Sequence, residues 1–377
     1  MWPYSPYTGT LLSIAPPPPF DNVVADQSHL NISRHAIVPR LPDKFFLVKM
    51  SPTASKPEVL VTRSDFPESG IDILRKYFRV EIWDNVNNGP LDKKKLIELI
   101  QGKYAVYASA FDIYDEDVIK AGLPFLRVIS TFSVGVDHID LRAVKDYDIK
   151  LGHTPDVSTE ATSEFAIALL LSASRRMQEA ASVVREGRWL SWTPLGLCGQ
   201  GIQGSTVGII GYGRIGHAIA VKLKVFSPQR ILYASRREKL KGNKIGAIFV
   251  DLNSLLRSSD FVILCCALTS DTINMMSWNQ FAAIAIFVNV GRGGLVNHDA
   301  LVDALRNRKI RAAGLDVMTP EPLPIDHPLQ KLDNCVIMPH IGSATVKTRE
   351  DMGILVAKNI VAVLKGERMP AEYSEKS

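Results

Sequence analysis

The chain has 377 residues, 46% of them hydrophobic and 22% charged, and a formal net charge of only +5. That is material for about two domains with buried cores, and the dispersal of both charge signs excludes nucleic acid as the principal partner. The longest apolar runs, Phe165 to Ala173 and Phe261 to Leu268, stop far short of the ~20 residues a membrane helix needs, so no membrane partner is expected.

Residues 1 to 56 stand apart, with the Pro16 to Pro19 run, scattered aromatics and no sustained period, and are expected to be disordered. As a targeting segment they are poor, because Asp21, Asp26 and Asp43 are acidic and the first basic residue is Arg34. Met50-Ser-Pro-Thr-Ala-Ser-Lys reads as a natural start for the folded part. A cytoplasmic location is expected, with organellar targeting the less favoured alternative.

From Pro57 onward, β-branched runs alternate with helical patterns. Val59 to Thr62, Val80 to Trp83, Tyr104 to Ala108 and Arg127 to Ser130 read as strands, with helices near Glu68 to Tyr77, Leu91 to Ile100 and Asp115 to Ala121. Such alternation predicts a parallel sheet covered by helices on both faces. Thr159 to Arg185 then reads as one long helix joining two domains. Six further strands follow, near Val207 to Ile210, Ile231 to Ala234, Phe261 to Cys265, Ile286 to Asn289, Ala312 to Leu315 and Val336 to Met338. With helices near Ile215 to Phe226, Asn253 to Arg257 and Asp299 to Asn307 between them, they fit a doubly wound dinucleotide-binding sheet. Cys198, Cys265, Cys266 and Cys335 show no C-x-x-C pair and no metal-ligand spacing, so no metal is expected and the thiols read as reduced.

Directly after the first strand of the second unit stands Gly211-Tyr-Gly213-Arg-Ile-Gly216. In a strand-turn-helix setting Gly211 allows the tight turn, Gly213 lets the backbone approach a pyrophosphate, and Gly216 lets the helix lie close to the strand. The helix N-terminus then offers N–H donors to the phosphates. Where an enzyme using NAD(H) would carry a carboxylate for the adenosine ribose, this chain has Ser235-Arg236-Arg237. A hydroxyl and two guanidiniums suit a 2′-phosphate, so NADP(H) is expected and NAD(H) is less favoured. Two solvated arginines on a loop are the plainer alternative.

Three further features lie near strand ends, where this kind of sheet gathers its chemistry. They are Asn289-Val-Gly-Arg292-Gly-Gly, Gly314-Leu-Asp316-Val running on to Pro320-Glu321-Pro322, and Met338-Pro-His340-Ile-Gly-Ser343. Reduction of a 2-keto acid needs a cation to hold the carboxylate, a proton donor for the new alkoxide, and a group to orient that donor. Arg292, His340 and Glu321 supply those chemistries. Singly they read equally as a helix-cap partner, a strand-end hydrogen bonder and a solvated loop acid; together, downstream of a dinucleotide motif, they point to an active site.

At these residues the chain resembles the D-isomer-specific 2-hydroxyacid dehydrogenases, and within them most closely the glyoxylate/hydroxypyruvate reductases. The resemblance runs from Val59 to about Glu372 and is carried by STFSVGVDHID (130 to 140), GHTPDVSTEATSEFAIALLL (152 to 171), WLSWTPLGLCG (189 to 199), STVGIIGYGRIG (205 to 216), NVGRGGLVN (289 to 297), AAGLDVMTPEPLP (312 to 324) and NCVIMPHIGSAT (334 to 345). It implies a discontinuous flavodoxin-like substrate domain of 57–156 and 341–377, closed by a C-terminal helix near Val346 to Leu364, and a Rossmann-type NADP-binding domain of 157–340. By the same resemblance His340 would be the acid/base, Glu321 its partner and Arg292 a substrate ligand. Val134, Gly135, Ser109, Asp316, Ser343 and Trp192 would complete the substrate site, the last reaching across a homodimer through the 189–199 arm. Gly211, Gly213, Arg214, Ile215, Gly216, Ser235, Arg236, Arg237, Ala267, Val290, Asp316 and Gly342 would hold the cofactor.

The chain departs from the family pattern between Trp278 and Phe287, where the connection into the strand before Arg292 is shorter, and at Ala108-Ser109-Ala110, where many relatives have glycine. The expected activity is NADPH-dependent reduction of hydroxypyruvate to D-glycerate and of glyoxylate to glycolate. A nucleotide-sensing, corepressor-like binding protein of the same fold is the alternative from another class. A 3-phosphoglycerate dehydrogenase is disfavoured, because little chain follows Leu364.

Overall fold

The computed structural model describes residues 56–374, apart from Ala283. The expectation of disorder for residues 1 to 56 therefore falls almost entirely outside the described residues. Two parallel sheets organise the rest. The first is built from β1 (Glu58–Val61), β2 (Arg79–Ile82), β3 (Ala105–Ala108), β4 (Val128–Thr131) and β5 (Lys150–Gly152), in the order β2-β1-β3-β4-β5. Strands β3 and β4 are buried at every position, as apolar runs covered on both faces should be. The edge strand β2 alternates exposed and half-buried residues.

The second sheet contains β6 (Thr206–Ile210), β7 (Arg230–Ala234), β8 (Ile248–Phe249), β9 (Phe261–Leu264), β10 (Ile286–Asn289), β11 (Ala312–Leu315) and β12 (Cys335–Ile337), in the order β12-β11-β10-β9-β6-β7-β8. It has seven strands where the pattern predicted six. The extra one, β8, is a two-residue exposed edge just after Gly246, too short to carry a period. In the first unit the structure adds β5 and the helix Leu141–Asp146 to the predicted elements; Asp140 caps that helix by accepting from Arg142 and Ala143 N–H.

The predicted long helix is two helices, Thr159–Ser174 and Met177–Arg185, separated by Arg176 in the left-handed region at φ +53°. No glycine or proline marks the break. The returning chain does it: Gln200 N–H donates to the Ser174 carbonyl at 3.0 Å, taking an acceptor that a continuing helix would have used.

The shortened connection leaves β10 intact. A capping box between Ser277 and Gln280 starts the helix Trp278–Phe281. Asn289 then pairs with Leu264 on one side and Leu315 on the other, in register with both neighbours. The last helix, Val346–Leu364, packs Met352, Val356, Ala357 and Ile360 into one cluster with Val59, Val61 and Tyr107 of the first sheet. Asn359 ties it there by donating to Ser130 Oγ and His153 O, each at 3.2 Å.

Candidate active site

Strand β6 ends in the glycine turn. Gly211 takes φ +95°, and a Cβ there would lie 2.5 Å from Cys266 N; a Cβ on Gly216 would lie 2.1 Å from Gly211 O. Both positions are closed to any side chain. Around Gly213, by contrast, nothing beyond its own chain neighbours comes within 4 Å of where a Cβ would stand. The middle glycine thus borders open space in front of the helix Arg214–Leu223, whose first turn carries no acidic residue. That is the cradle a pyrophosphate requires, so the residues present fit a dinucleotide. Ile215 packs on the core beneath, while the Arg214 guanidinium is ion-paired with Asp156.

At the end of β7, Arg236 and Arg237 are exposed and Ser235 is half-buried, its hydroxyl donating to Arg237 O at 2.6 Å. Ala267 follows β9, where its carbonyl accepts from Thr272 Oγ1 at 2.9 Å. Val290 is buried beside it, its N–H bonded to Leu264 O at 3.0 Å.

The neighbouring strands β10, β11 and β12 deliver the candidate side chains Arg292, Glu321 and His340 from adjacent ends. Asn289 pins the loop after β10, accepting from Gly291 N–H at 3.0 Å and donating to Arg292 O at 2.9 Å. Asp316, after β11, donates its N–H to Asn289 O at 3.0 Å, and its carbonyl accepts from His340 N–H at 2.9 Å. The buried Asp316 carboxylate accepts from Ile341 and Gly342 N–H at 2.8 and 2.9 Å. Burial raises its pKa above the usual carboxylate value despite those two bonds.

His340 stands in the left-handed region at φ +55°, a costly backbone for a non-glycine residue and one that clusters at functional sites. Its Nδ1 lies 2.8 Å from Glu321 Oε2, and Glu321 Oε1 accepts from Met318 N–H at 2.8 Å. An ionised carboxylate only accepts, so Nδ1 is the protonated nitrogen of this contact and Nε2 is left for other chemistry.

The Arg292 and His340 side chains both face loops of the first sheet. Arg292 Nε donates to the Asp137 carboxylate at 3.1 and 3.3 Å, Nη1 to Gly291 O at 2.9 Å, and Nη2 lies 3.4 Å from Ser133 Oγ. Gly135 lies so near that a Cβ would meet Arg292 Nη2 at 2.2 Å. The His340 ring meets Phe111 edge-on at 5.7 Å between centroids. Val134 beside Gly135 is exposed, and its carbonyl contacts His153 Nδ1 at 3.0 Å. Ser109 is buried; its N–H bonds to Thr62 Oγ1 and Asp112 Oδ2, and its hydroxyl accepts from Phe111 N–H at 3.2 Å, so this group is turned into its own loop. Ser343 is half-buried at the start of the segment leading to the last helix, its carbonyl accepting from Thr345 N–H. Trp192 does not join the others within one chain: it is 76% exposed, on an arm where Trp189, Leu190 and Leu195 are exposed too.

Asp137, Ser133, Phe111 and the half-buried Arg349, whose guanidinium stands 5.7 Å from the Phe132 ring centroid, were not singled out from sequence. Asp137 lay inside a quoted motif, but no spacing rule ties it to an arginine 155 residues away.

Two buried groups beneath the site titrate with opposite consequences. His138, hydrogen-bonded to Thr131 Oγ1 at 2.9 Å, is pushed down to about 4 by burial. The unfolded chain binds that proton and the folded one does not, so stability is lost as pH falls from 6.5 towards 4. Asp112 is pushed up to about 6, again by burial. Here the folded state holds the proton, so stability is gained over nearly the same window as pH falls. In Asp112→Asn that offset is gone. Urea denaturation should therefore show the variant losing about 3 kcal/mol more than the wild type between pH 6.5 and 4. Parallel pH profiles would contradict it.

Comparison with known proteins identifies the family. Residues 167–342 match the family model for the D-isomer specific 2-hydroxyacid dehydrogenase, NAD binding domain. The chain is 45% identical over 320 residues to glyoxylate reductase/hydroxypyruvate reductase of Homo sapiens, covering 84% of this chain and 97% of that one. The chain belongs to the D-isomer specific 2-hydroxyacid dehydrogenase family. The Mus musculus glyoxylate reductase/hydroxypyruvate reductase is 47% identical over 297 residues, covering 78% of this 2-hydroxyacid dehydrogenase chain and 90% of the mouse protein. Among solved structures, the NADPH-dependent glyoxylate/hydroxypyruvate reductase of Sinorhizobium meliloti, in complex with NADP and malonate, superposes with a TM-score of 0.73 at 28% identity, covering 85% of this chain and 98% of that one. This 2-hydroxyacid dehydrogenase is thus an oxidoreductase whose sheets follow the family fold. No helix among the described residues is long and apolar enough to cross a membrane.

Proposed function

We propose that the chain catalyses NADPH-dependent reduction of hydroxypyruvate to D-glycerate and of glyoxylate to glycolate, reversibly, at C2. The observation that carries this reading is the His340–Glu321 pair at 2.8 Å, which follows β12 and β11, beside Arg292 after β10 in the same sheet. The dinucleotide held at the glycine turn supplies the hydride when bound. His340 Nε2 gives a proton to the developing alkoxide and takes it back in the reverse direction. Glu321, anchored by Met318 N–H, holds the ring through Nδ1. Arg292 clamps the substrate carboxylate and polarises the carbonyl; its Nε is engaged by Asp137, which leaves N–H groups on Nη1 and Nη2 for a two-pronged grip.

In this reading Val134 and Gly135 present backbone N–H groups to the carboxylate, with Ser109 and Ser343 at the pocket wall and Asp316 near the nicotinamide. Gly211, Gly213, Arg214, Ile215, Gly216, Ala267, Val290 and Gly342 line the cofactor. Ser235, Arg236 and Arg237 bind its 2′-phosphate. The 189–199 arm, with its exposed tryptophans, joins two copies and carries Trp192 into the partner's pocket. The similarity to mammalian glyoxylate reductase/hydroxypyruvate reductase supports the substrate, and the NADP complex of the Sinorhizobium relative supports the cofactor.

The test is oxidation of NADPH and of NADH on addition of each acid. Turnover of hydroxypyruvate or glyoxylate with NADPH favoured is expected, and silence with every small 2-keto acid would favour a nucleotide sensor instead. The double variant Arg236→Ala with Arg237→Ala should raise KM for NADPH by roughly 10- to 100-fold, the equivalent of one or two charge-assisted hydrogen bonds. KM for NADH should hardly move. Equal effects on the two cofactors would remove the case for phosphate recognition by these arginines.

A further inference from the structure

Beside the proposed cofactor site lies a lysine that no motif marks. Lys241 belongs to the short helix Leu240–Asn243 after β7, and its Nζ donates to Gly213 O at 2.8 Å. That carbonyl belongs to the middle glycine of the turn and already accepts from His217 N–H at 3.1 Å. The ammonium also lies 5.8 Å from the Tyr212 ring centroid.

Its position is built in. Tyr233 stacks on Tyr212 with centroids 3.9 Å apart, and its hydroxyl accepts from Lys239 N–H at 2.9 Å while donating to Lys239 O at 3.3 Å. Gly242 packs directly on the same ring. The segment from Lys239 to Gly242 is therefore held on the Tyr233 ring at both its ends, and Lys241 within it is aimed back at the glycine motif.

Electrostatically the site is unfavourable as it stands. Lys241 stands by the positive end of the helix Arg214–Leu223, where cations are disfavoured. Burial lowers its pKa, and Arg214 and Lys239 lower it further. Of the acids that share a cleft with it, Asp156 is already engaged by Arg214 and Glu160 by Lys222. A phosphate dianion in front of this cluster would relieve each of these costs.

We propose that Lys241 is a specificity-determining residue for the 2′-phosphate of the dinucleotide, completing the set of Ser235, Arg236 and Arg237 from the glycine-turn side. The inference rests on the NADPH reading above and names a residue that reading lacks. Lys241 acts as a point charge fixed on the Gly213 carbonyl; the arginines supply the planar forks.

The experiment is calorimetric titration of the full chain with 2′,5′-ADP, which carries the 2′-phosphate, and with 5′-AMP, which does not. Lys241→Met should weaken 2′,5′-ADP about tenfold or more and 5′-AMP less than about twofold, and Lys241→Arg should keep most of the wild-type discrimination. Equal weakening of both nucleotides would make Lys241 a prop for the glycine turn and overturn the proposal. Unchanged 2′,5′-ADP binding in Lys241→Met, with a loss in Arg236→Ala, overturns the role of Lys241 alone. A wild-type chain that does not prefer 2′,5′-ADP over 5′-AMP overturns the NADPH reading and this inference with it.

Discussion

Replacing His340 with alanine is expected to cut kcat by about 10²–10⁴-fold, the usual worth of a positioned general acid, while the Kd for NADPH stays within about twofold. The two effects separate because the imidazole stands at the end of β12, whereas the glycine turn follows β6, with β11, β10 and β9 between them in the sheet. Single-turnover kinetics and fluorescence titration with NADPH measure them independently. Should hydride transfer and cofactor affinity collapse together, the left-handed backbone at residue 340 would be serving the fold, and the acid/base role would be lost. Asparagine tolerates that backbone better than alanine, so His340→Asn separates a strained loop from a missing proton donor.

Arg292→Gln should lower kcat/KM for either keto acid by about two to three orders of magnitude, as expected when one partner of a desolvated charge pair is removed. Competitive inhibition by a substrate-like dicarboxylate such as oxalate should weaken with it. A fall in stability would not account for such a loss. The Asp137 pair is only partly buried, with side-chain exposures of 25% and 30%, and partly exposed pairs of this kind contribute about 1 kcal/mol or less. Undiminished oxalate inhibition in the variant would show that the substrate carboxylate binds elsewhere.

Much of this was legible in the residues. Period and turn chemistry marked most strands of both sheets, because a parallel strand covered on both faces must be an unbroken apolar run. The glycine turn could be read because closed space at Gly211 and Gly216 admits no other residue there. Short edge elements such as β8 could not, since two residues carry no pattern.

What the linear chain determined is therefore the chemistry available: a guanidinium, an imidazole and a carboxylate, each placed by a strand whose hydrophobic run fixes where it stops. Tertiary structure alone decided their company. That Arg292 leans on Asp137, that Lys241 rests on Gly213, and that the helix after Thr159 breaks at Arg176 under the returning Gln200 all depend on chain segments from tens of residues to 155 residues apart. Local periodicity reports which face of an element is buried, and nothing in it says which distant segment will cover that face.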